Sequence, residues 1–283
     1  MTAPAGKLYV IATPIGNLDD ITLRAVKTLR EDVAGVYCED TRQSRKLLNH
    51  LGISLPAWPL HSNSPEGHYA RAVEFLREGN SAAYLTDSGT PGVSDPGSAL
   101  VRACREAGID IVPIPGPSAL TALLSVSGFP GRDILFMGFL SRKPGKRRKE
   151  LESLRGGPTV GIIYESPARV RKLLLEIGEA LPEAHVVIGR ELTKLHEEFA
   201  RGPLTTLAAR YAGDVRGEVV LVVEGAPEEV SDAATDDAIL AEVRRRLAAG
   251  EGSIKEMARE LAQATGRPRS EVYALALRAK DQE

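Results

Sequence analysis

The sequence has few of the features that mark secreted or membrane proteins. Its two cysteines, Cys38 and Cys104, cannot build a disulfide framework, and we interpret both as buried small hydrophobic side chains in a reducing compartment. The longest apolar stretch, residues 119–126, is interrupted by Thr121 and Ser125 and is far shorter than the about 20 residues of a membrane span. The N-terminus lacks the basic start and apolar stretch of a signal peptide. We therefore expect a cytoplasmic protein that does not contact a membrane.

Several common catalytic and ligand-binding patterns are also missing. The five histidines form no HExxH or cysteine–histidine pattern, so we expect no metal site. The chain has no P-loop ending in glycine, lysine and serine or threonine, no GxGxxG fingerprint and no GxSxG elbow. The formal net charge of −2 argues against a uniformly basic surface for nucleic acid.

The sequence does contain alternating strand-like and helix-like segments. Predicted strands in the first half cover residues 7–12, 33–38, 81–85 and 109–114. This alternation predicts an α/β fold with a largely parallel sheet covered on its faces. The second half resembles another α/β unit, with predicted strands at residues 134–139, 159–164, 185–190 and 218–223.

The chain divides into three predicted regions. We expect an N-terminal α/β domain over residues 1–117, a C-terminal α/β domain over residues 118–228, and a linker with a helical extension over residues 229–283. Three short helices are predicted in the extension, and its last two resemble a helix-turn-helix pair. Two interpretations stay open for this pair, a packing appendage or an RNA-contacting module.

A loop rich in proline and glycine, residues 86–97, follows a predicted strand and has the sequence TDSGTPGVSDPG. Its position corresponds to the carboxyl end of a parallel strand, where ligands of α/β proteins bind. Glycine allows close approach of the backbone to a ligand, and proline stiffens the loop. Asp87 comes directly after the strand and is suited to accept hydrogen bonds from a ligand amine or ribose hydroxyl. Two further tight loops, residues 12–18 and 115–119, also follow strands, so we expect the three loops to line one crevice.

Charged residues cluster after other strands. In the segment 38–42, Glu39 and Asp40 either form a salt-bridged helix start or orient a substrate hydroxyl, with Arg42 holding a phosphate. Arg190 and Lys194 lie in another charged segment and contact either an anionic substrate or water.

A basic patch covers residues 142–149, which contain six lysines and arginines in eight positions. Phosphate contacts to RNA explain such a patch on a slightly acidic protein. Arg147 and Arg148 are the candidates for these contacts. The alternative is a solvated helix start.

Six motifs in fixed order carry a resemblance to a known family: YVIATPIGNL, EDTR, TDSGTPGVSDPG, PGPSA, YESP and RELTK. The sequence resembles the tetrapyrrole-methylase-like, class III superfamily of S-adenosylmethionine methyltransferases. The resemblance implies a homodimer of two-domain subunits with S-adenosylmethionine in the cleft between domains. The first loop reads Thr13-Pro-Ile-Gly instead of the glycine-proline-glycine-aspartate turn of porphyrin-methylating relatives, which favours the branch that acts on ribosomal RNA.

The resemblance also implies an activity and a set of site residues. The implied reaction is methylation of the ribose 2′-oxygen of a decoding-site cytidine in 16S ribosomal RNA, within the small ribosomal subunit. The residues expected to bind the cofactor are Pro14, Asp87, Gly89, Thr90, Pro91, Val93, Ser118, Ala119, Tyr164, Glu218 and Val219. Those expected to bind substrate are Arg42, Arg147, Arg148, Glu165 and Arg190. The candidates for accepting the hydroxyl proton are Glu39, Asp40 and Lys194. The alternatives are a methyltransferase of the same fold acting on a tetrapyrrole or protein, and a non-catalytic assembly factor that binds ribosomal RNA.

Overall fold

The computed structural model describes residues 4–61, 64–93, 97–129, 133–155, 159–213, 215–225, 236–250, 252–265 and 267–281. The chain forms two compact units. The first comprises Met1–Leu154 and Thr159–Gly225, and the second comprises Arg155–Pro158 and Ala226–Glu283. The three-region division made from sequence stays a prediction. Within the described residues, no helix is long and apolar enough to cross a membrane.

The first sheet contains five strands, β1 to β5, in the order β3-β2-β4-β1-β5. Their bounds are Leu8–Ile11, Gly35–Cys38, Ala57–Pro59, Ala82–Leu85 and Ile111–Ile114. The helices α1 to α4 between them span Leu23–Glu31, Thr41–His50, Glu66–Arg77 and Gly97–Glu106. Every strand pair in this sheet is parallel, which confirms the prediction.

Both faces of the first sheet are covered, as its strands require. All four residues of β4 are buried, because alternate side chains enter different hydrophobic clusters. Tyr84 packs in a cluster with Leu76 and Leu100, whereas Leu85 packs with Leu29 in the other. Cys38 and Cys104 are free and buried, as predicted. Because the strands are parallel, their carboxyl ends all lie at one edge of the sheet. The loops described below begin at this edge.

The second sheet, also in the first unit, is mixed. Its strands β6 to β10 span Asp133–Phe139, Thr159–Glu165, His185–Arg190, Glu198–Arg201 and Val219–Glu224. The accompanying helices α5 to α8 span Ala119–Ser127, Pro144–Glu152, Pro167–Ala180 and Leu204–Arg210. The order is β6-β7-β10-β8-β9, with β6 and β7 parallel and the other pairs antiparallel. The sequence prediction did not include β9 or α8, and it also missed β3 of the first sheet.

Within the described residues, the second unit contains three helices, which confirms the predicted helical extension. Helices α9, α10 and α11 span Asp236–Ala248, Ile254–Thr265 and Arg269–Asp281. They share an apolar core that includes Val243, Met257 and Val272. Ser253 and Glu256 form a reciprocal capping box, in which the Ser253 amide donates to Glu256 at 2.9 Å and the Glu256 amide donates to Ser253 Oγ at 3.3 Å. Local capping thus sets where α10 begins.

Candidate functional site

Three loops at the carboxyl edge of the first sheet are hydrogen-bonded to one another. Thr13 and Gly89 exchange backbone hydrogen bonds of 2.9 and 3.1 Å. The Thr13 hydroxyl also lies 3.2 Å from the hydroxyl of Thr86, which itself donates to the Gly89 carbonyl at 2.9 Å. Thr90 Oγ1 donates to the Pro117 carbonyl at 3.0 Å and so joins the third loop. The three strand exits predicted to line one crevice therefore do lie together.

These loops form one wall of a cavity of about 430 Å³, a size typical of small-molecule sites. The second sheet and the loops that follow its strands supply the opposite wall. The lining residues are Ile15, Glu39, Thr86, Asp87, Ser88, Gly89, Thr90, Val93, Ser118, Ala119, Phe139, Tyr164, Glu165, Ser166, Pro167, Leu192, Gly217, Glu218, Val219 and Val220.

Most residues expected to bind the cofactor lie on this cavity. Those that line it are Asp87, Gly89, Thr90, Val93, Ser118, Ala119, Tyr164, Glu218 and Val219. Pro14 and Pro91 belong to the same loops but are not part of the lining. Residues 94–96 of the loop 86–97 lie outside the described residues.

Several apolar lining residues carry no chemical signal in the sequence. Ile15, Phe139 and Leu192 lie on the cavity wall although their side chains are ordinary core residue types. Ile15 and Leu192 also share one hydrophobic cluster with Leu123 and Val220. Ile15 and Leu192 belong to two of the sequence motifs, whereas Phe139 lies outside all six.

Asp40, Arg42 and Asp87 form a charged group at the edge of the cavity. Asp87 Oδ1 accepts a hydrogen bond from the Asp40 backbone amide at 3.0 Å. Asp87 keeps solvent contact through the cavity, yet the surrounding protein displaces enough water to raise the pKa of its carboxyl, and the charge of Asp40 adds to the rise. The hydrogen bond from the Asp40 amide opposes both effects.

Asp40 itself has a structural role. It caps α2 by accepting a 2.8 Å hydrogen bond from the Arg42 amide, and its carboxylate pairs with the Arg42 guanidinium at 2.7 Å. Hydrogen bonds from Arg42 lower the pKa of Asp40 to about 2. Asp40 and Arg42 do not line the cavity, whereas Glu39 does. This geometry corresponds to the salt-bridged helix start considered from sequence.

An aromatic wall faces these loops from the second sheet. The Tyr164 ring packs edge-on against Phe136 and Phe139, with centroid distances of 5.2 and 5.9 Å. Burial raises the pKa of Tyr164, although hydrogen bonds with the Leu120 backbone and the Ser118 side chain oppose the rise. Phe139 is 63% exposed, which is unusual for a phenylalanine. It therefore presents an aromatic surface at the cavity.

Glu165 is a buried residue of the cavity wall. Its Oε1 accepts hydrogen bonds from the Ser166 amide at 2.7 Å and the Ser166 hydroxyl at 3.2 Å. Its Oε2 lies 3.1 Å from Arg169 Nη2. The Glu165 side chain is only 1% exposed, so these partners satisfy a charge that would otherwise be costly to bury.

Lys194 lies in a tight turn after β8. Its Nζ is 2.9 Å from Glu191 Oε1 and 3.0 Å from Glu218 Oε2. Burial lowers the pKa of Lys194, but the hydrogen bonds to the two glutamates outweigh it, so the pKa is raised. Glu191 and Thr193 have positive φ angles of 51° and 66°, a conformation that few non-glycine residues adopt.

The same turn contacts the first loop. The Asn17 amide donates to Thr193 Oγ1 at 3.0 Å. A Cβ at Gly16 would lie 2.5 Å from Lys194 Cγ and 2.9 Å from the Leu192 carbonyl oxygen. Glycine is therefore required where the two walls of the cavity meet.

The remaining expected substrate contacts lie away from the cavity. Arg190 pairs with Glu198 at 2.7 Å and donates to the Arg216 carbonyl at 3.2 Å. Burial alone would raise the pKa of Glu198, but hydrogen bonding by Arg190 and the charge of Arg210 lower it. This pair connects β8 to β9, which favours a structural role for Arg190.

Arg147 and Arg148 are neighbours in α6 with very different surroundings. The Arg147 side chain is 6% exposed and its Nε donates to Glu176 Oε2 at 2.6 Å. Its Nη1 donates to the carbonyls of Ser141 and Arg142 at 2.9 and 3.2 Å. Arg148 is 65% exposed and pairs with Glu152 at 2.9 Å. The structure therefore favours a packing role for Arg147 and leaves Arg148 accessible to solvent.

Metal ligands are not grouped in the part of the chain that the structure describes. No set of three or more histidine, cysteine, aspartate or glutamate side chains is arranged to hold a metal ion there.

Comparisons with known proteins agree with the fold and the motifs. Residues 7–208 match the family described as Tetrapyrrole (Corrin/Porphyrin) Methylases. A protein from Leptospira biflexa named ribosomal RNA small subunit methyltransferase I is 47% identical over 218 residues, covering 77% of this chain and 90% of that protein. A protein of the same name from Synechocystis sp. is 40% identical over 274 residues, covering 96% of this chain and 98% of that protein.

A solved structure shares the fold at low identity. Uroporphyrin-III C-methyltransferase from Thermus thermophilus, complexed with S-adenosylhomocysteine, superposes with a TM-score of 0.53 and 16% identity. The match covers 77% of this chain and 97% of that protein. The two-sheet α/β architecture, the motif order and these relatives lead to one assignment: the chain belongs to the tetrapyrrole methylase family and, within it, to the ribosomal RNA small subunit methyltransferase I group.

Proposed function

We propose that this protein transfers the methyl group of S-adenosylmethionine to the ribose 2′-oxygen of the decoding-site cytidine of 16S ribosomal RNA. The observation that carries the proposal is the cavity of about 430 Å³, whose lining includes at least one residue from each of the six sequence motifs. The names of relatives up to 47% identical support a ribosomal RNA substrate. The S-adenosylhomocysteine held by a protein of the same fold supports the cofactor.

The lining fits a cofactor that has both polar and apolar parts. Ile15, Leu192 and Val220 offer an apolar surface to a flat base, whereas Asp87 and Ser118 offer polar groups to a ribose or amino acid portion. Gly89 has φ of 84°, and its backbone faces the ligand space without a side chain. When bound, S-adenosylmethionine supplies a methyl group that is already activated by its sulfonium centre.

The chain's own residues must place the ribose hydroxyl and accept its proton. Of the three candidate bases, only Glu39 lines the cavity. Asp40 is unsuited because its pairing with Arg42 holds its pKa at about 2. Lys194 is unsuited because its raised pKa keeps it protonated. We therefore assign the proton-accepting role to Glu39 and a cationic, turn-holding role to Lys194.

The RNA must reach the cavity with its target nucleotide unstacked. Two exposed cations, Arg42 at the edge of the cavity and Arg148 on α6 away from it, are suited to contact phosphates of the RNA. A cytoplasmic homodimer acting on the small ribosomal subunit completes the proposal.

Two measurements test the proposal. Isothermal titration of the purified protein with S-adenosylmethionine should give one saturable site per chain. Methyl incorporation should then be detected in 30S subunits that lack the modification, and nuclease digestion with mass spectrometry should place it on a ribose 2′-oxygen. Cofactor binding without label in either 30S subunits or naked 16S RNA would exclude the RNA-methylation proposal, and label on a base would exclude the 2′-oxygen assignment.

A further inference from the structure

A second cavity of about 340 Å³ lies next to the first and shares Glu165 with it. Six of its lining residues are charged, namely Arg142, Arg147, Glu165, Arg169, Lys172 and Glu176. The two cavities therefore adjoin the same buried side chain.

The charges of this second cavity do not balance. Four cations face two carboxylates, and both carboxylates already have partners. Glu165 is paired with Arg169, and Glu176 is paired with Arg147. Arg142 and Lys172 have no ion pair with any described residue. The cavity therefore has an excess of positive charge that an anionic group would neutralise.

The cations differ in how firmly they are held. Arg169 is fixed by its 3.1 Å contact with the buried Glu165 and lies in the first turn of α7, where the helix dipole also favours an anion. Arg142 is fixed through its backbone, because its carbonyl accepts a hydrogen bond from Arg147 at 3.2 Å. Arg147 thus acts as a positioning residue, buried beneath the site and holding Arg142 in place.

We propose that Arg142, Arg169 and Lys172 bind the RNA phosphodiester next to the ribose that is methylated. Guanidinium groups match the geometry of phosphate oxygens, and a lysine ammonium adds a point charge. Covalent continuity of the RNA explains why a phosphate site should share a wall with the catalytic cavity. The inference rests on the proposed function, since it assigns a subsite for the same substrate.

The experiment removes positive charge from the cavity but leaves Glu165 and Glu176 with their cationic partners. The double variant Arg142→Ala/Lys172→Ala leaves the Arg169–Glu165 pair intact. Its matched control is Lys149→Ala/Arg171→Ala, which removes the same two charges from the same region, from exposed positions of α6 and α7 that do not line the cavity. Binding to 30S subunits is measured over a salt series, together with S-adenosylmethionine affinity and the melting temperature.

We expect the cavity variant to bind 30S subunits roughly 10-fold more weakly at low salt, with the salt slope reduced by about 0.7 for one lost phosphate contact. The control pair should have a smaller effect, and cofactor affinity and melting temperature should not change in either variant. Equal losses of affinity for 30S subunits in both double variants would show that general surface charge, and not this cavity, binds the RNA. That result would overturn the subsite. Unchanged binding in the cavity variant, with wild-type protein active on RNA, would overturn the subsite alone. Wild-type protein that binds cofactor but never methylates RNA would overturn the proposed function and the subsite with it.

Discussion

The backbone amide of Asp40 donates a hydrogen bond to the carboxylate of Asp87, and this bond joins the ends of the neighbouring strands β2 and β4. It brings two carboxylates into one small region. The Arg42 guanidinium neutralises Asp40. Asp87 is left as the carboxylate that faces the cavity with a raised pKa. Ionised Asp87 therefore lowers the stability of the folded protein but is available to bind a ligand. Substitution of Asp87 tests both effects.

Asp87→Asn should weaken S-adenosylmethionine binding by about 10-fold, as expected for loss of a charged hydrogen-bond acceptor. The asparagine oxygen can still accept from the Asp40 amide, so the loop should keep its shape. Because the folded-state pKa of Asp87 is raised, its stabilising contribution is present below the unfolded pKa and is lost as pH rises through the folded pKa. The variant should therefore melt above wild type at pH 7, and the two should converge below about pH 4.

Titration calorimetry and pH-dependent melting measure these effects. Asp110→Asn, an exposed position, serves as the control and should change neither quantity. If Asp87→Asn binds S-adenosylmethionine with wild-type affinity, Asp87 does not contribute to cofactor binding.

Arg147→Ala should lower the free energy of unfolding by about 3 kcal/mol, because it leaves Glu176 without its cation and frees two backbone carbonyls. The adjacent Arg148→Ala should change it by no more than about 0.5 kcal/mol, as is usual for an exposed pair. Urea denaturation of both variants gives the comparison. Equal stability of the two would contradict the structural role of Arg147.

The same pair predicts an acid-sensitive stability. Hydrogen bonding by Arg147 lowers the pKa of Glu176, so its contribution is present above the unfolded pKa and is lost as pH falls through the folded pKa. The difference between wild type and Arg147→Ala should therefore shrink below about pH 4. A difference that stays constant between pH 7 and pH 3 would show that packing alone, and not the charge pair, is responsible.

Gly16→Ala should destabilise the protein by about 1–3 kcal/mol, since the new methyl group meets the Leu192 carbonyl and the stem of Lys194. Displacement of Ile15 and Leu192 should also weaken cofactor binding. Gly67→Ala provides the control, because a Cβ there meets no atom within 4 Å. In helix α3 this control should be neutral or stabilising by up to about 1 kcal/mol. Thermal melts that rank the two variants in the opposite order would contradict the close contact.

Lys194→Arg and Glu39→Gln separate charge from proton transfer. If Lys194 acts only as a cation between Glu191 and Glu218, arginine should keep most of kcat, because it retains the charge but does not deprotonate. Glu39→Gln should lower kcat by about 100-fold if Glu39 accepts the proton. Single-turnover methylation with both substrates saturating measures these rates. Loss of kcat in Lys194→Arg with normal activity in Glu39→Gln would reverse the assignment.

The first sheet could be predicted well because its signals are local. Strands β1, β2, β4 and β5 were predicted as short apolar runs followed by helices, and parallel pairing follows from that alternation. Strand β3 has three residues, none of them buried, and was not predicted. The second sheet depends on distant partners. Strand β10 lies between β7 and β8, which precede it in the chain, and β9 is a four-residue strand rich in polar side chains. Neither arrangement has a local signature.

Site residues could be predicted where the composition of a loop indicates a ligand. They could not be predicted where their position depends on the packing of distant elements. Asp87 and Gly89 belong to a loop whose composition indicates a ligand. Phe139 is an apolar residue in an apolar strand, and only the fold makes it face a cavity. Arg147 belongs to a run of basic residues, and its burial depends on Glu176 in another helix.

The hydrogen bonds among Thr13, Thr86, Gly89, Thr90 and Pro117 have a consequence for the entropy of binding. Because these segments already constrain one another, their backbone ordering is completed during folding and is not repeated when a ligand arrives. Association with a preformed wall loses less conformational entropy than closure of a mobile loop. A substitution that loosens this network would therefore weaken affinity without removing any contact to the ligand.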